Sequence, residues 1–183
     1  MIDFTCGTLL IAEPFMKDPN FQRSVVLLCE HESTGSFGIT INRLTKDLLG
    51  DFIPDCENLA CPVFDGGPVG KDNMHFLHTR PDLIEGGKKL IDGIYWGGDF
   101  QAAVDALHQK EILNDEIRFY LGYAGWEEKQ LNDEMDEKSW LTIKAKPSIV
   151  FHKNPSQIWK ESIKQLGKAF HPVANYPLDP SYN

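Results

Sequence analysis

The chain of 183 residues has few cysteines, no paired metal-ligand knuckle and no long apolar run, and each shortage excludes a class of protein. Its four cysteines, Cys6, Cys29, Cys56 and Cys61, contain no CxxC pair, so their spacing encodes neither a zinc knuckle nor a dithiol redox motif. Cys6 and Cys29 fall in apolar, strand-like runs and read as small buried hydrophobes in a reducing compartment. Cys29 and His31 share a strand face at i, i+2, but two ligands do not make a metal site. No segment approaches the ~20 apolar residues that a membrane span needs. The opening "MIDFTCGTLLIAEPF" lacks the early cationic residues of a secretory leader, so a cytosolic protein is expected. Lys and Arg number 18 against 27 acids, and the net charge of −9 counts against generic binding to nucleic acid or an anionic membrane.

What is present suits one domain. A chain of this length buries roughly 70% of its unfolded surface without help from disulfides or metals, and 42% of its residues are hydrophobic, enough to fill such a core. "GTLLIA" (7–12) reads as a buried strand. "VVLLCE" (25–30) and "FGITIN" (37–42) read as a hairpin across "HESTGS". "TKDLLGDF" (45–52) reads as one or two helical turns capped by Thr45. "PVFDGGPV" (62–69) is a strand broken by Gly66-Gly67-Pro68, and "NMHFLHT" (73–79) is the next strand. "KLIDGIYWGG" (89–98) holds one strand and a turn. "DFQAAVDALHQ" (99–109) is a helix capped by Asp99, with Phe100, Ala103, Val104 and Leu107 as its apolar stripe. A strand is expected over 116–125, a helix starting at Trp126 and running to Met135, a strand over 139–145 and an amphipathic helix over 155–170. The tail from about 171 to 183, rich in proline, should run extended. Strands dominate the first half with few helices between them. The order predicts a single α+β domain over 1–183 with a large mixed, mainly antiparallel sheet and a few packed helices.

Two glycine corners invite a catalytic reading. "GYAG" (122–125) resembles a nucleophile elbow, but its glycines are three apart and hold Tyr and Ala between them, so no nucleophile is present. It reads either as a sharp turn packing the following helix on the sheet, with Glu127 and Glu128 in that helix's first turn, or as a ligand surface using exposed N–H groups and the Trp126 face. "FDGGPVGK" could form an anion-binding nest or a tight connection between strands; it is no P-loop, because no helical pattern follows. His75 and His78 are an odd distance apart on a strand and should point to opposite faces, which prevents chelation of one metal. No catalytic, cofactor-binding or metal residue is assigned. Residues 138–170 reverse the overall charge with seven Lys and one acid. Lys160, Lys164 and Lys168 fall at i, i+4, i+8 on one helix near Lys153, forming a solvated face or a basic docking face for an acidic partner.

Several segments in this order resemble one family: "GTLLIAEPFMKDPNFQRSVVLLCEH", "GSFGITINR", "FDGGPV", "FLH", "YWGGDF", "RFYLGYAGWEEKQLNDEM", the "SW" at 139–140 and "HPVANYPLDPSYN". The chain is identified by them as similar to the YqgE/AlgH family of bacterial proteins, nearly end to end. The matching positions are Asp18, Phe21, Ser24, His31, Asn42, Arg43, Gly66, Gly67, Pro68, His78, Gly122, Gly125, Trp126 and Gln130. The resemblance implies a single cytosolic α+β domain of unsettled activity with no agreed catalytic set; one branch carries a transcriptional-regulator label. That label fits poorly here, since no helix-turn-helix pattern appears and the charge is wrong for direct DNA contact. The leading expectation is a non-enzymatic protein that works through protein or small-ligand contacts, with a regulatory role among its readings. The alternatives are a metabolite binder or enzyme with a cleft at Asn42, Arg43, Gly66, Gly67, His78, Gly122, Gly125 and Trp126, where Arg43 would clamp an anion, and direct nucleic-acid binding through the 153–168 lysines.

Overall fold

The computed structural model describes residues 4–176. Ten strands form one mixed sheet: β1 (Thr8–Ala12), β2 (Val25–Glu32), β3 (Gly35–Thr40), β4 (Leu44–Leu48), β5 (Pro62–Asp65), β6 (Val69–His78), β7 (Lys88–Ile91), β8 (Ile94–Trp96), β9 (Ile117–Glu127) and β10 (Trp140–Lys144). Four α-helices accompany them: α1 (Phe100–His108), α2 (Gln130–Asp136), α3 (Pro147–Val150) and α4 (Ile158–Gln165). The strand order is β10-β1-β2-β3-β9-β6-β8-β7, all antiparallel, while β5 joins β9 in parallel and carries β4. The expected α+β class with a large, mainly antiparallel sheet is what the chain forms.

Alternation along the strands builds cores on both faces. Leu9, Ile11, Val25, Leu27, Phe64, Leu77 and Tyr120 point to one face, which is covered by Ile149, Val150, Ile158, Trp159 and Ile163 of α3 and α4. On the other face Val63, Phe76, Ile117 and Phe119 pack under α1. Further along that face, Leu10, Val26, Leu28, Ala124 and Trp126 pack with Leu131 of α2 and Trp140. Asp99 caps α1 as expected, accepting from the Ala102 N–H at 3.0 Å. Cys29, Cys56 and Cys61 are free and buried, and burial pushes the Cys61 thiol up to about 12.

Five local expectations need correction. The 45–52 stretch is strand β4 followed by a 3₁₀ turn at Leu49–Asp51; Thr45 caps no helix, and its hydroxyl donates to the Val63 carbonyl at 2.7 Å across the pair. The 89–98 stretch is a hairpin of two strands, β7 and β8, turning at Asp92-Gly93, where Gly93 has φ 78°. The strand begun at 116 does not stop at Gly125 but runs to Glu127, so Trp126 is a strand residue, Glu127 and Glu128 precede α2, and the turn is made at Lys129 with φ 64°. The 155–170 helix is really a 3₁₀ turn, the eight residues of α4, and a second 3₁₀ turn at Lys168–Phe170 set off by Gly167 at φ 116°. The described part of the tail is not extended: Val173–Asn175 form a 3₁₀ turn whose Ala174 is buried. Residues 177–183 of that tail lie outside the described residues.

Candidate functional site: an aromatic row on the sheet

The residues expected to share a cleft do not converge on one. Asn42 rivets a loop: its Oδ1 accepts from the Val25 N–H and its Nδ2 donates to the Arg23 carbonyl, both at 2.9 Å. Arg43 leans on the same loop, donating weakly to the carbonyls of Pro19 and Gln22 at 3.3 and 3.4 Å. His78 is fully buried. Its Nδ1 accepts from the Arg80 N–H at 3.2 Å, so the proton sits on Nε2, which donates to the Gly97 carbonyl at 3.1 Å. Burial pushes its pKa down, against weaker opposing pulls from those hydrogen bonds and from Asp82. Trp126 is buried on the α2 face, and its indole donates to Glu134 Oε2 at 2.9 Å. It therefore offers no ring to a ligand beside Gly125.

Gly66, Gly67 and Gly122 do meet, backbone against backbone. Gly66 N–H donates to the Leu121 carbonyl, and the Gly66 carbonyl accepts from Thr40 N–H, both at 2.8 Å, stitching β3 to β9. Gly67 N–H is taken by Asp65 Oδ1 at 3.1 Å. Both nest donors are thus engaged inside the chain, and neither is left for an anion. A Cβ on Gly67 would fall inside the Tyr123 peptide, and one on Gly122 would lie 2.6 Å from the Gly67 carbonyl oxygen. The tight-connection reading holds at "GGPV". At "GYAG" the reason for glycine is different.

Gly122 has φ 73° in the middle of β9, opposite an irregularity in β6 between Val69 and Met74. In a regular strand, residues three apart face opposite ways. Here Tyr120 lies in the core under α3 and α4, while Tyr123 packs at a tilt against Phe37, which packs against that same core. One residue with positive φ has flipped the alternation, as a glycine bulge does. Tyr123 is therefore delivered to the face of Tyr120. Its ring lies over Gly125, where an added Cβ would meet it at 3.2 Å, and beside Gly70, where it would be met at 2.9 Å.

The result is a row of four half-buried rings from four neighbouring strands: Phe37 on β3, Tyr123 on β9, His75 on β6 and Trp96 on β8. Phe37 lies 4.8 Å from both Trp96 and Tyr123, centroid to centroid, and His75 meets Phe37 edge-on at 5.2 Å. Such pairs each contribute about 0.5–1.5 kcal/mol beyond their buried area. Val69, 41% exposed, extends the row opposite Tyr123. Lys88 Nζ sits 5.8 Å over the Trp96 ring and pairs with Glu30 at 2.9 Å, so this cation at the rim is balanced by its own counter-charge. Burial pushes the His75 pKa down, and among the described residues its Nε2 has no hydrogen-bond partner. A hollow of about 290 Å³ opens beside it, lined by Met74, His75, Phe76, Gly86, Lys88, Trp96 and Gly97. His75 and His78 do fall on opposite faces.

Sequence reasoning missed this row. Phe37, Trp96 and Tyr123 fall in segments that carry the family resemblance, but nothing in their spacing joins them to one another or to His75, and only the glycines beside Tyr123 signalled the row. A second hollow, near 330 Å³, contains a hydrogen bond of 2.7 Å between His31 Nδ1 and Ser36 Oγ. The two residues are direct cross-strand partners in the β2–β3 hairpin, and among the described hydrogen bonds no carboxylate orients the ring. The pair lacks the third member that would make Ser36 a nucleophile. The basic face is also divided. Lys160 and Lys164 lie on α4, Lys164 is paired with Glu161 at 2.7 Å, Lys168 sits past the Gly167 break and Lys153 precedes the helix.

Among the described residues no helix is long and apolar enough to cross a membrane. A family model described as AlgH-like matches residues 9–171. A UPF0301 protein of Cytophaga hutchinsonii is 36% identical over 181 residues, covering 98% of this chain and 99% of its own, and one of Chlorobium luteolum is 37% identical over 177 residues, covering 97% and 94%. The solution structure of the AlgH protein of Pseudomonas aeruginosa superposes with a TM-score of 0.75 at 26% identity, covering 97% of this chain and 96% of that one. A crystal structure of a Corynebacterium diphtheriae protein superposes with a TM-score of 0.79 at 19% identity over 95% and 93% of the two chains, a likeness of fold. This chain belongs to the AlgH-like family.

Proposed function

We propose that this protein is a non-catalytic binding protein and that the row Phe37–Tyr123–His75–Trp96 is its contact surface for a protein partner. The observation that carries this reading is the flipped alternation at Gly122: a positive φ at 122 and a bare glycine at 125 together bring one more half-buried aromatic ring to Phe37, His75 and Trp96. Half-buried aromatic rings with a balanced rim are the anchors of protein interfaces, where they bring apolar area at little entropic cost. A regulatory role would then run through such contacts rather than through direct reading of DNA, which the net charge of −9 and the divided lysine face disfavour.

The test compares affinity capture from bacterial extract by the parent chain and by Trp96→Ala, with Lys160→Glu as the control. Retention of a partner by the parent and the control, and its loss from the Trp96 variant, supports the reading. Equal capture by all three overturns it. A small planar ligand is the second reading, favoured by the buried His75 Nε2 beside the 290 Å³ hollow. A thermal-shift gain from a metabolite that disappears in His75→Phe would select it over the first.

A further inference from the structure

The face opposite the aromatic row holds a further hollow. The segment Glu13–Phe21 stands over the start of β10 and leaves a hollow of about 350 Å³ whose lining includes Glu13, Phe15, Lys17, Asp18, Phe21, Glu134 and Trp140. Its floor is rigid. Glu134 Oε2 accepts the indole N–H groups of both Trp126 and Trp140, at 2.9 and 2.7 Å, while Oε1 accepts from Gln130 at 3.0 Å. Three donors from two strands and a helix thus hold one carboxylate in a single orientation. Phe21 lies edge-on to Trp140 at 5.4 Å and is stacked near Trp126 at 6.2 Å. Phe15 forms an outer wall and is 45% exposed despite its stacking with Tyr176.

We propose that this hollow binds an organic ammonium ion between the Phe15 and Phe21 rings and the Glu13 and Glu134 carboxylates, above a floor formed by the buried Trp140. Both kinds of wall favour the same charge. Aromatic faces present negative potential to a cation, and a carboxylate half-shielded from water gains more from a neighbouring cation than an exposed one does. An anion would be repelled by three acids against one ammonium, that of the exposed Lys17. A neutral apolar guest would strip water from Glu13 and Glu134 and return nothing. Glu13 lies within the field of Arg23, but no hydrogen bond among the described residues engages its carboxylate. It is thus the acid with capacity to spare.

The full chain is titrated with choline, with Nα-acetyl-lysine N-methylamide and with 3,3-dimethylbutan-1-ol, the uncharged isostere of choline. The readout is the pair of indole N–H resonances of Trp126 and Trp140, with Trp96 as the internal reference on the other face. Saturable shifts are expected with choline at least five-fold tighter than with the alcohol, and Glu13→Gln should abolish that preference. The ratio of choline to the lysine analogue then distinguishes a free ammonium metabolite from the side chain of a protein. Phe15→Ala, at an exposed position, should weaken choline at least two-fold without touching the core. Equal affinity for choline and the alcohol, absence of a saturable shift, or a preference intact in both variants overturns the proposal. Because the hollow and the aromatic row lie on opposite faces, failure of either leaves the other standing.

Discussion

Within β9, Gly122 and Gly125 are three residues apart, yet a methyl group would meet backbone at the first and a side-chain ring at the second. At Gly122 the restriction is architectural. Its positive φ is one that L side chains rarely adopt, and the carbonyls of Gly67 and Val69 close the space around it at 2.6 and 2.8 Å. At Gly125 the strand is ordinary, and among the described residues the atoms an added Cβ would meet belong to the Tyr123 ring. One glycine decides which face Tyr123 occupies; the other decides how flat its ring can lie. The same division separates the two histidines of β6: His78, buried with both nitrogens bonded, belongs to the architecture, and His75 to the row.

The largest effect is expected at Gly122. Gly122→Ala combines an unfavourable φ with a clash against backbone that has no room to yield, and should destabilise the fold by about 3 kcal/mol or more. Denaturant titration checks this; a loss under 1 kcal/mol would mean that the crossing of β9 with the Gly66-Gly67 segment is looser than described. A smaller effect is expected from acid. The unfolded imidazole titrates near 6.5, and both His75 and His78 are held below that in the folded chain, chiefly by burial. The unfolded state then binds the extra protons, so stability is full above pH 6.5 and falls as pH drops through the folded values. A decrease of a few degrees in Tm is expected between pH 7.5 and 5. It should shrink in His78→Asn, which cannot gain that charge. A flat profile in the parent chain would refute the assignment of His78 as a neutral donor to Gly97. The smallest effect on stability belongs to Gly125→Ala. The Tyr123 ring need move only a few tenths of an ångström, at a cost of about 1 kcal/mol or less. Partner capture by the aromatic row should nevertheless weaken. Unchanged capture would detach Gly125 from the site.

Much of the fold was legible because strands and the α1 helix announce themselves locally. Apolar runs such as "TLLIA" and "VVLLC", and the stripe behind Asp99, need no knowledge of distant neighbours. The errors fell where local signals were ambiguous. Trp126 followed by acids resembles a helix start, but pairing with Ser36 and burial against Phe21 and Trp140 keep it in the sheet. Thr45 resembles a helix cap, but Val63 recruits its hydroxyl across β4 and β5. The eight-residue cleft failed for a related reason. Asn42, Arg43 and His78 each find backbone partners nearby, which spacing alone does not reveal, and only Gly66, Gly67 and Gly122 are brought together.

From the sequence alone came the class of fold, most strand positions, the helix α1, the lack of a nucleophile at "GYAG" and the family resemblance. Alternation, capping and composition act over a few residues and leave their mark in the order of letters. The aromatic row came only from tertiary structure, since residues 37, 75, 96 and 123 are joined by strand pairing and by one sign of one dihedral angle. Glycine tolerates either sign of φ at little cost, so the letter at 122 leaves open the face on which Tyr123 emerges; the packing of Gly67 against it chooses.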